Sequence, residues 1–164
     1  MKAGRIIELF NTVFEQKYNT VLCGGANEPL YVPGGCDATE PSRLYFSFDF
    51  PRSALHEISH WCIAGSRRRK LVDFGYEYAP PPRLPAEQKQ FFALELKTQT
   101  LEYIFCKAVR LKFSPSADNL RVNHETVTHY MQHIRDNATA WLHGGIKGDA
   151  GVFLEKLQSV NKVI

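Results

Sequence analysis

The ten residues from Ser53 to Cys62 constrain this chain most, because they contain the pattern His-Glu-x-x-His. Four residues are about one turn of an α-helix, so His56 and His60 would lie one above the other on a helix and could bind one metal ion. Apart from Glu57, the residues around the histidines are uncharged, as expected for a buried helix that keeps its imidazoles neutral. The segment is therefore predicted to be a metal-binding helix. The competing interpretation is an ordinary amphipathic helix that carries two histidines by chance.

The residues that flank this segment predict where the helix begins and ends. Asp49 can cap the first turn, and Pro51 suits a position within that turn. Gly65 suits the position just past the last turn. We therefore expect the helix to begin near Pro51 and to end near Gly65.

The remaining pattern predicts few strands and mostly helices. Apolar residues at three-to-four spacing indicate helices at about 5–17, 86–112, 123–143 and 152–160. Short apolar or aromatic runs between turn residues indicate strands at 20–23, 30–32 and 43–48, with a further edge strand at 72–78. This order predicts an α+β fold in which several helices pack on a small mixed sheet and carry the metal site.

Length and composition predict a single domain over residues 1–164. With 44% hydrophobic and 23% charged residues, a chain of this length can bury a core without a disulfide or a structural metal. The formal charge of +3 is too small to indicate a nucleic-acid partner, so no direct contact with nucleic acid is expected.

Cysteine spacing and hydropathy indicate the compartment. No Cys-x-x-Cys pattern occurs, which argues against a zinc knuckle and favours a reducing compartment. The N-terminus develops no apolar signal-peptide run, and no apolar stretch approaches a membrane span. A cytoplasmic protein without a membrane partner is expected. The cysteines are Cys23, Cys36, Cys62 and Cys106.

Two histidines hold a metal only loosely, so a third ligand is needed. On the long helix, Glu95 and Glu102 fall on one edge of the apolar face, two turns apart. A carboxylate at such an edge either points to water or meets a cation, so both are candidates, and periodicity does not choose between them. A second set, Glu125, His129 and His133, also repeats every four residues. Its neighbours are polar, and we expect it to be a solvent-exposed ladder.

These residue types are compatible with three chemistries. Two histidines and one carboxylate with open coordination positions are typical of non-haem Fe(II) oxygenases. The same ligands around zinc, with Glu57 as general base, are typical of a metallohydrolase, either a peptidase or a nuclease. A structural zinc would need a fourth protein ligand. The local pattern does not separate the first two.

A longer run of residues adds a resemblance. The segments His56–Gly65, Arg68-Arg69, Leu71–Tyr76 and Glu95-x-Lys97-x-Gln99 together resemble the elongation factor P hydroxylase family, and the resemblance covers most of the chain. It implies a cytoplasmic bacterial enzyme that hydroxylates a lysine of elongation factor P after a β-lysyl group has been added. It also implies a metal centre, with Fe(II) or another divalent metal and molecular oxygen.

The resemblance implies that the ligands are His56, His60 and Glu95, and it thereby favours Glu95 over Glu102. On a helix Glu57 points about 100° away from His56, so we expect it to be a supporting residue rather than a ligand, with a catalytic role in proton transfer open.

Substrate-binding residues are expected next to the metal helix. Arg68 lies in the basic run 67–70, which is either a solvated helix end or a docking site for an acidic protein. Tyr76 and Tyr78 are expected either to line a channel for the modified lysine or to pack as ordinary strand residues.

Overall fold

The computed structural model describes residues 1–35 and 39–161. Within these residues, five α-helices surround a three-stranded mixed sheet, which confirms the predicted α+β class. Cys36 lies outside the described residues. The elements are α1 (Ala3–Tyr18), β1 (Thr20–Ala26), β2 (Leu30–Val32), β3 (Ser42–Ser47), α2 (Pro51–Arg68), a 3₁₀ turn (Val72–Gly75), α3 (Pro85–Ala108), α4 (His124–Gly144) and α5 (Gly148–Asn161).

The sheet delivers the chain directly into the histidine helix. β3 is central, with β1 parallel on one side and β2 antiparallel on the other. Just past β3, the Phe48 amide donates to the Ala26 carbonyl and the Gly25 amide donates to the Phe48 carbonyl, both at 2.7 Å. These bonds fix the connection to α2 against the end of β1. The predicted cap is wrong in detail, because the residue at the cap position is Phe50, which makes no side-chain capping bond.

The core sets the rotation of α2 about its own axis. Trp61 is fully buried, and its ring lies 5.2 Å from that of Phe10 and 4.8 Å from that of Phe14, both on the apolar face of α1. Phe153 of α5 packs against the same two rings. Since Trp61 must face α1, the neighbouring turns of α2 present His56 and His60 toward α3.

The end of α2 contains a sharp break. Gly65 adopts φ 64° and ψ 177°, a conformation that is essentially restricted to glycine, and helical residues continue beyond it to Arg68. Past the break, the Arg69 guanidinium stacks over Trp61 with 3.3 Å to the ring centroid and pairs with Asp149 of α5 at 2.8 Å. The predicted stop at Gly65 is thus a break in the helix rather than its end.

The predicted edge strand at 72–78 is wrong. The chain forms the 3₁₀ turn there, with Asp73 and Phe74 at positive φ values of 46° and 58°. The Asp73 carboxylate accepts from the Tyr31 amide at 2.8 Å, and the Phe74 ring stacks on the Tyr31 ring at 4.4 Å. Side-chain contacts to β2 therefore replace the ladder that the aromatic alternation suggested.

Two helix boundaries differ from the predicted ones, and no membrane helix is found. α3 ends at Ala108 rather than near residue 112, and α5 begins at Gly148 rather than near residue 152. Among the described residues, no helix has both the length and the apolar character required to span a bilayer.

Asp149 joins α5 to α1 and α2, and we expect its replacement to destabilise the fold. Its carboxylate accepts from the Tyr18 hydroxyl at 2.8 Å and pairs with Arg69. Asp149→Asn removes the charge and should lower the free energy of unfolding by about 1.5–3 kcal/mol at pH 7, measured by urea denaturation.

The effect should depend on pH. Burial would raise the pKa of Asp149, but the hydrogen bonds from Tyr18 and Arg69 outweigh it and hold the pKa below its usual value. The stabilisation is therefore complete above the unfolded-state pKa of about 3.9 and is lost as the pH falls through the folded-state pKa. Asp136→Asn on exposed α4 is the control, with an expected change below about 0.5 kcal/mol. Equal losses in both variants would refute this role for Asp149.

Candidate metal centre

Three side chains from two helices converge on one point. The Nε2 atoms of His56 and His60 lie 3.1 Å apart. From α3, Glu95 places Oε1 3.3 Å from His60 Nε2 and Oε2 3.6 Å from His56 Nε2. Among the described residues, this is the group of His, Cys, Asp or Glu side chains whose ligand atoms lie close enough together to hold one ion.

The donor set fits a divalent metal. Atoms bound about 2.1 Å from a shared ion lie about 3.0–3.4 Å from each other, close to the separations seen here. Glu95 is 2% exposed, and its Oε2 has no hydrogen-bond partner in the described part of the chain. A buried carboxylate oxygen without a donor is unfavourable unless a cation satisfies it. The geometry therefore provides a place for the ion that the sequence pattern suggested.

Glu102, the alternative carboxylate, contacts the His56 ring nitrogen that points away from the converging atoms. Its Oε2 lies 2.9 Å from His56 Nδ1, and its Oε1 accepts from Arg52 Nε and Nη2 at 3.1 and 3.0 Å. Because a carboxylate accepts hydrogen bonds, it holds the proton on Nδ1 and leaves Nε2 free to face Glu95. Arg52, Glu102 and His56 thus form a chain that fixes both the tautomer and the ring orientation.

The other two converging residues also have supporting partners. Thr98 Oγ1 lies 3.3 Å from His60 Nδ1, and the Tyr78 hydroxyl donates to Glu95 Oε1 at 2.5 Å. Burial and the charge of Glu95 raise the pKa of Tyr78, so the phenol remains a donor. Each of the three converging side chains is therefore oriented by a neighbour.

The pKa values of the two histidines are shifted in opposite directions. Burial alone would lower the pKa of His56, but the hydrogen bond to Glu102 and the nearby carboxylates raise it to about 10. Burial and the charge of His56 hold the pKa of His60 well below its usual value. The carboxylates around His56 therefore favour positive charge at this place, and a bound divalent cation would supply it.

The converging side chains line an open cavity of about 980 Å³. Tyr76 and Tyr78 form part of its wall, with their rings stacked 5.9 Å apart and Tyr76 5.5 Å from the His60 ring. The cavity wall is aromatic and acidic. Its other lining residues include Phe50, Phe74, Phe91, Asp73, Asp118 and Lys112.

Arg68 supports this wall. Its guanidinium donates to the carbonyls of Phe74 and Gly75 at 2.7 and 3.1 Å and lies 3.8 Å from the Tyr76 ring centroid. Within the same basic run, Arg67 and Lys70 are exposed. The contacts of Arg68 therefore hold the turn, while its expected part in substrate binding stays a prediction.

Glu57 also lines the cavity but does not belong to the converging set. It is 8% exposed, and it forms no hydrogen bond or ion pair with any other described residue. Burial raises the pKa of Glu57 to about 7, although the charge of His56 opposes the shift. A buried acidic residue that lines a cavity and has no ion-pair partner is available to interact with a bound molecule.

The rival ladder on α4 lies at the surface. Glu125, His129 and His133 are all exposed, as expected, and the two imidazoles meet at 3.0 Å between their Nε2 atoms. Within the described residues, Glu125 does not converge with these two histidines in the way that Glu95 converges with His56 and His60.

Three residues of the site were missed in the sequence. Arg52 lies one turn before His56, so the spacing that links the two histidines could have revealed it. Thr98 lies about one turn after Glu95 on α3, and its contact with His60 depends on how α3 packs against α2. Asp73 lines the cavity only because the chain turns where a strand was expected, and the pattern carries no signal for that turn.

Comparison with known proteins shows the family of this chain. The model of the elongation factor P hydroxylase family matches residues 9–163. A Haemophilus influenzae protein named elongation factor P lysine hydroxylase is 40% identical over 145 residues, covering 88% of this chain and 81% of that protein. The family match spans both helices of the candidate centre. On this evidence, the chain belongs to the elongation factor P hydroxylase family.

Proposed function

We propose that this protein hydroxylates a lysine side chain of elongation factor P, in the form that carries a β-lysyl group. The observation that carries the proposal is the convergence of two imidazole nitrogens and a buried, unpartnered carboxylate oxygen in an open cavity. Membership of the family supplies the substrate class, and the relative's name supplies the lysine. Since translation factors act in the cytoplasm, the proposed location is cytoplasmic.

In this proposal His56, His60 and Glu95 hold Fe(II), and molecular oxygen is the second substrate. Two histidines and one carboxylate are the donor set of non-haem Fe(II) oxygenases. When bound, Fe(II) would supply the activation of oxygen that hydroxylation of an unreactive C–H bond requires. The protein's part is to fix the three ligands through Glu102, Thr98 and Tyr78.

The cavity accounts for the choice of a long side chain. It is open to solvent, and its aromatic wall of Tyr76 and Tyr78 suits a chain of methylene groups. We assign these two tyrosines to substrate binding, and Arg68 to the same function through the turn that it holds.

A zinc metallohydrolase is the second candidate, and the position of Glu57 favours it. A general base works best with a pKa near neutral pH, and the pKa of Glu57 is about 7. The metal and the reaction product distinguish the two candidates.

The first test is the intact mass of β-lysylated elongation factor P after incubation with this protein, Fe(II) and a reductant in air. We expect a gain of one oxygen atom, and no gain with the zinc-loaded protein or without oxygen. Cleavage of a protein or nucleic-acid substrate by the zinc form, with no mass gain in the iron form, would refute the hydroxylase proposal.

His60→Ala should abolish metal binding and hydroxylation while circular dichroism shows a retained fold. The side chain contributes one of three convergent donors, and two donors bind weakly. His133→Ala is the matched control, because it removes one member of an equally spaced histidine pair at the surface. Equal metal content in both variants would exclude His60 as a ligand.

Glu102→Gln should weaken metal affinity about 10–100-fold, measured by competition with a chelator. The variant keeps the shape of the side chain but no longer holds the proton on His56 Nδ1 by charge. Glu125→Gln on exposed α4 should leave the affinity unchanged. Thermal unfolding of each variant separates loss of affinity from loss of fold, and unchanged affinity in folded Glu102→Gln would disprove this supporting role.

A further inference from the structure

The cavity contains a buried carboxylate, Glu57, that forms no ion pair with a described lysine or arginine. Two other acids of the cavity have such partners: Glu102 pairs with Arg52 at 3.0 Å, and Asp118 pairs with Arg83 at 2.8 Å. Glu57 is 8% exposed and has no such partner in the described chain. Glu57 nevertheless lines the cavity that a ligand would occupy.

Burial of an unpaired carboxylate is unfavourable unless the group takes up a proton or meets a cation. The cations near this cavity are occupied or exposed. Arg52 donates to Glu102 and to the Ser114 carbonyl, and Lys112 is exposed. Within the described chain, His56 acts on Glu57 through its charge, but no lysine or arginine forms an ion pair with Glu57. An ammonium group of a ligand would supply that partner.

Asp73 is a second acid on the same wall, and it lies at the surface. Its Oδ1 accepts from the Tyr31 amide, and the turn that carries it is held by Arg68. Glu57 and Asp73 line the same cavity, so the two carboxylates act on the same region. The cavity wall is therefore negatively charged both at the surface, at Asp73, and in the interior, at Glu57.

Aromatic residues that line the same cavity suit the rest of such a ligand. Tyr76 and Phe74 line the same cavity. Aromatic faces bind methylene groups and also attract an ammonium group. Acidic and aromatic groups together favour a long aliphatic chain that carries a primary amine.

We propose that Glu57 and Asp73 form an ammonium-binding subsite, in which buried Glu57 pairs with an amino group of the substrate side chain and Asp73 attracts it at the surface. This inference rests on the proposed function and specifies how the substrate is selected. Glu57 then holds the modified lysine beside the ligands His56, His60 and Glu95. Its role is substrate binding rather than proton transfer.

The test measures binding without turnover. Zinc-loaded protein is titrated with a synthetic peptide that bears β-lysyl-lysine, and with the same peptide after acetylation of its free side-chain amines. The wild-type protein should bind the amine form about tenfold more tightly or better, because the acetylated form leaves Glu57 unpaired. Glu57→Gln should remove most of this preference, and Asp73→Asn should reduce it.

Glu77→Gln is the matched control, because Glu77 is an exposed carboxylate on the same segment, one residue beyond Tyr76. It should keep the wild-type preference. Zinc content of all variants, measured in parallel, should be unchanged.

Several results would overturn the inference. They are a wild-type protein with no preference for the amine form, a Glu57→Gln variant that keeps the preference, or a variant that loses its metal. Hydroxylation kinetics provide a further readout, in which Glu57→Gln should raise KM rather than lower kcat. A fall in kcat at unchanged KM would instead assign proton transfer. Because binding is measured in the zinc form, failure of the subsite is distinguishable from failure of the hydroxylase proposal.

Discussion

The candidate centre depends on one unfavourable arrangement, which is a carboxylate buried between two imidazoles with one oxygen unsatisfied. Glu95 is held there because α3 packs against α2, and α2 cannot rotate away while Trp61 packs against the aromatic rings of α1. The free energy of core packing therefore sustains a local electrostatic cost. A divalent cation removes that cost, and this is why the arrangement is better explained as a binding site than as ordinary packing.

The helices and the candidate ligands that they carry could be predicted from the sequence, because both depend on local periodicity. The spacing of His56 and His60 places both on one helical face, and the apolar pattern of α3 places Glu95 and Glu102 on one edge. The choice between these two acids could not be obtained from periodicity. It depends on how α3 is rotated and shifted against α2, which is a tertiary property. Family resemblance favoured Glu95, and the structure gives Glu102 a different partner in Arg52.

The 72–78 segment shows why local pattern fails at the cavity wall. Alternating aromatic residues are typical of a strand, yet two consecutive residues adopt left-handed conformations there. Those conformations are unfavourable in isolation and persist only because Tyr31 and Arg68, distant or external to the segment, bind its backbone and side chains. The residues of the segment alone do not indicate these distant partners. The sequence pattern therefore predicts a strand at Asp73, where the chain forms a 3₁₀ turn.

Gly65 lies between the part of α2 that packs in the core around Trp61 and the turn at Val72–Gly75 that forms the cavity wall. Space is open where its β-carbon would be, so sterics alone would permit a larger residue, and only the backbone conformation requires glycine. Beyond the break, consecutive arginines diverge: Arg69 returns to Trp61 and α5, while Arg68 reaches the turn that carries Tyr76. The conformation of this one glycine thus places Arg69 against the core and Arg68 against the turn at the cavity wall. A substitution of Gly65 that changed this backbone conformation would disturb both sets of contacts at once.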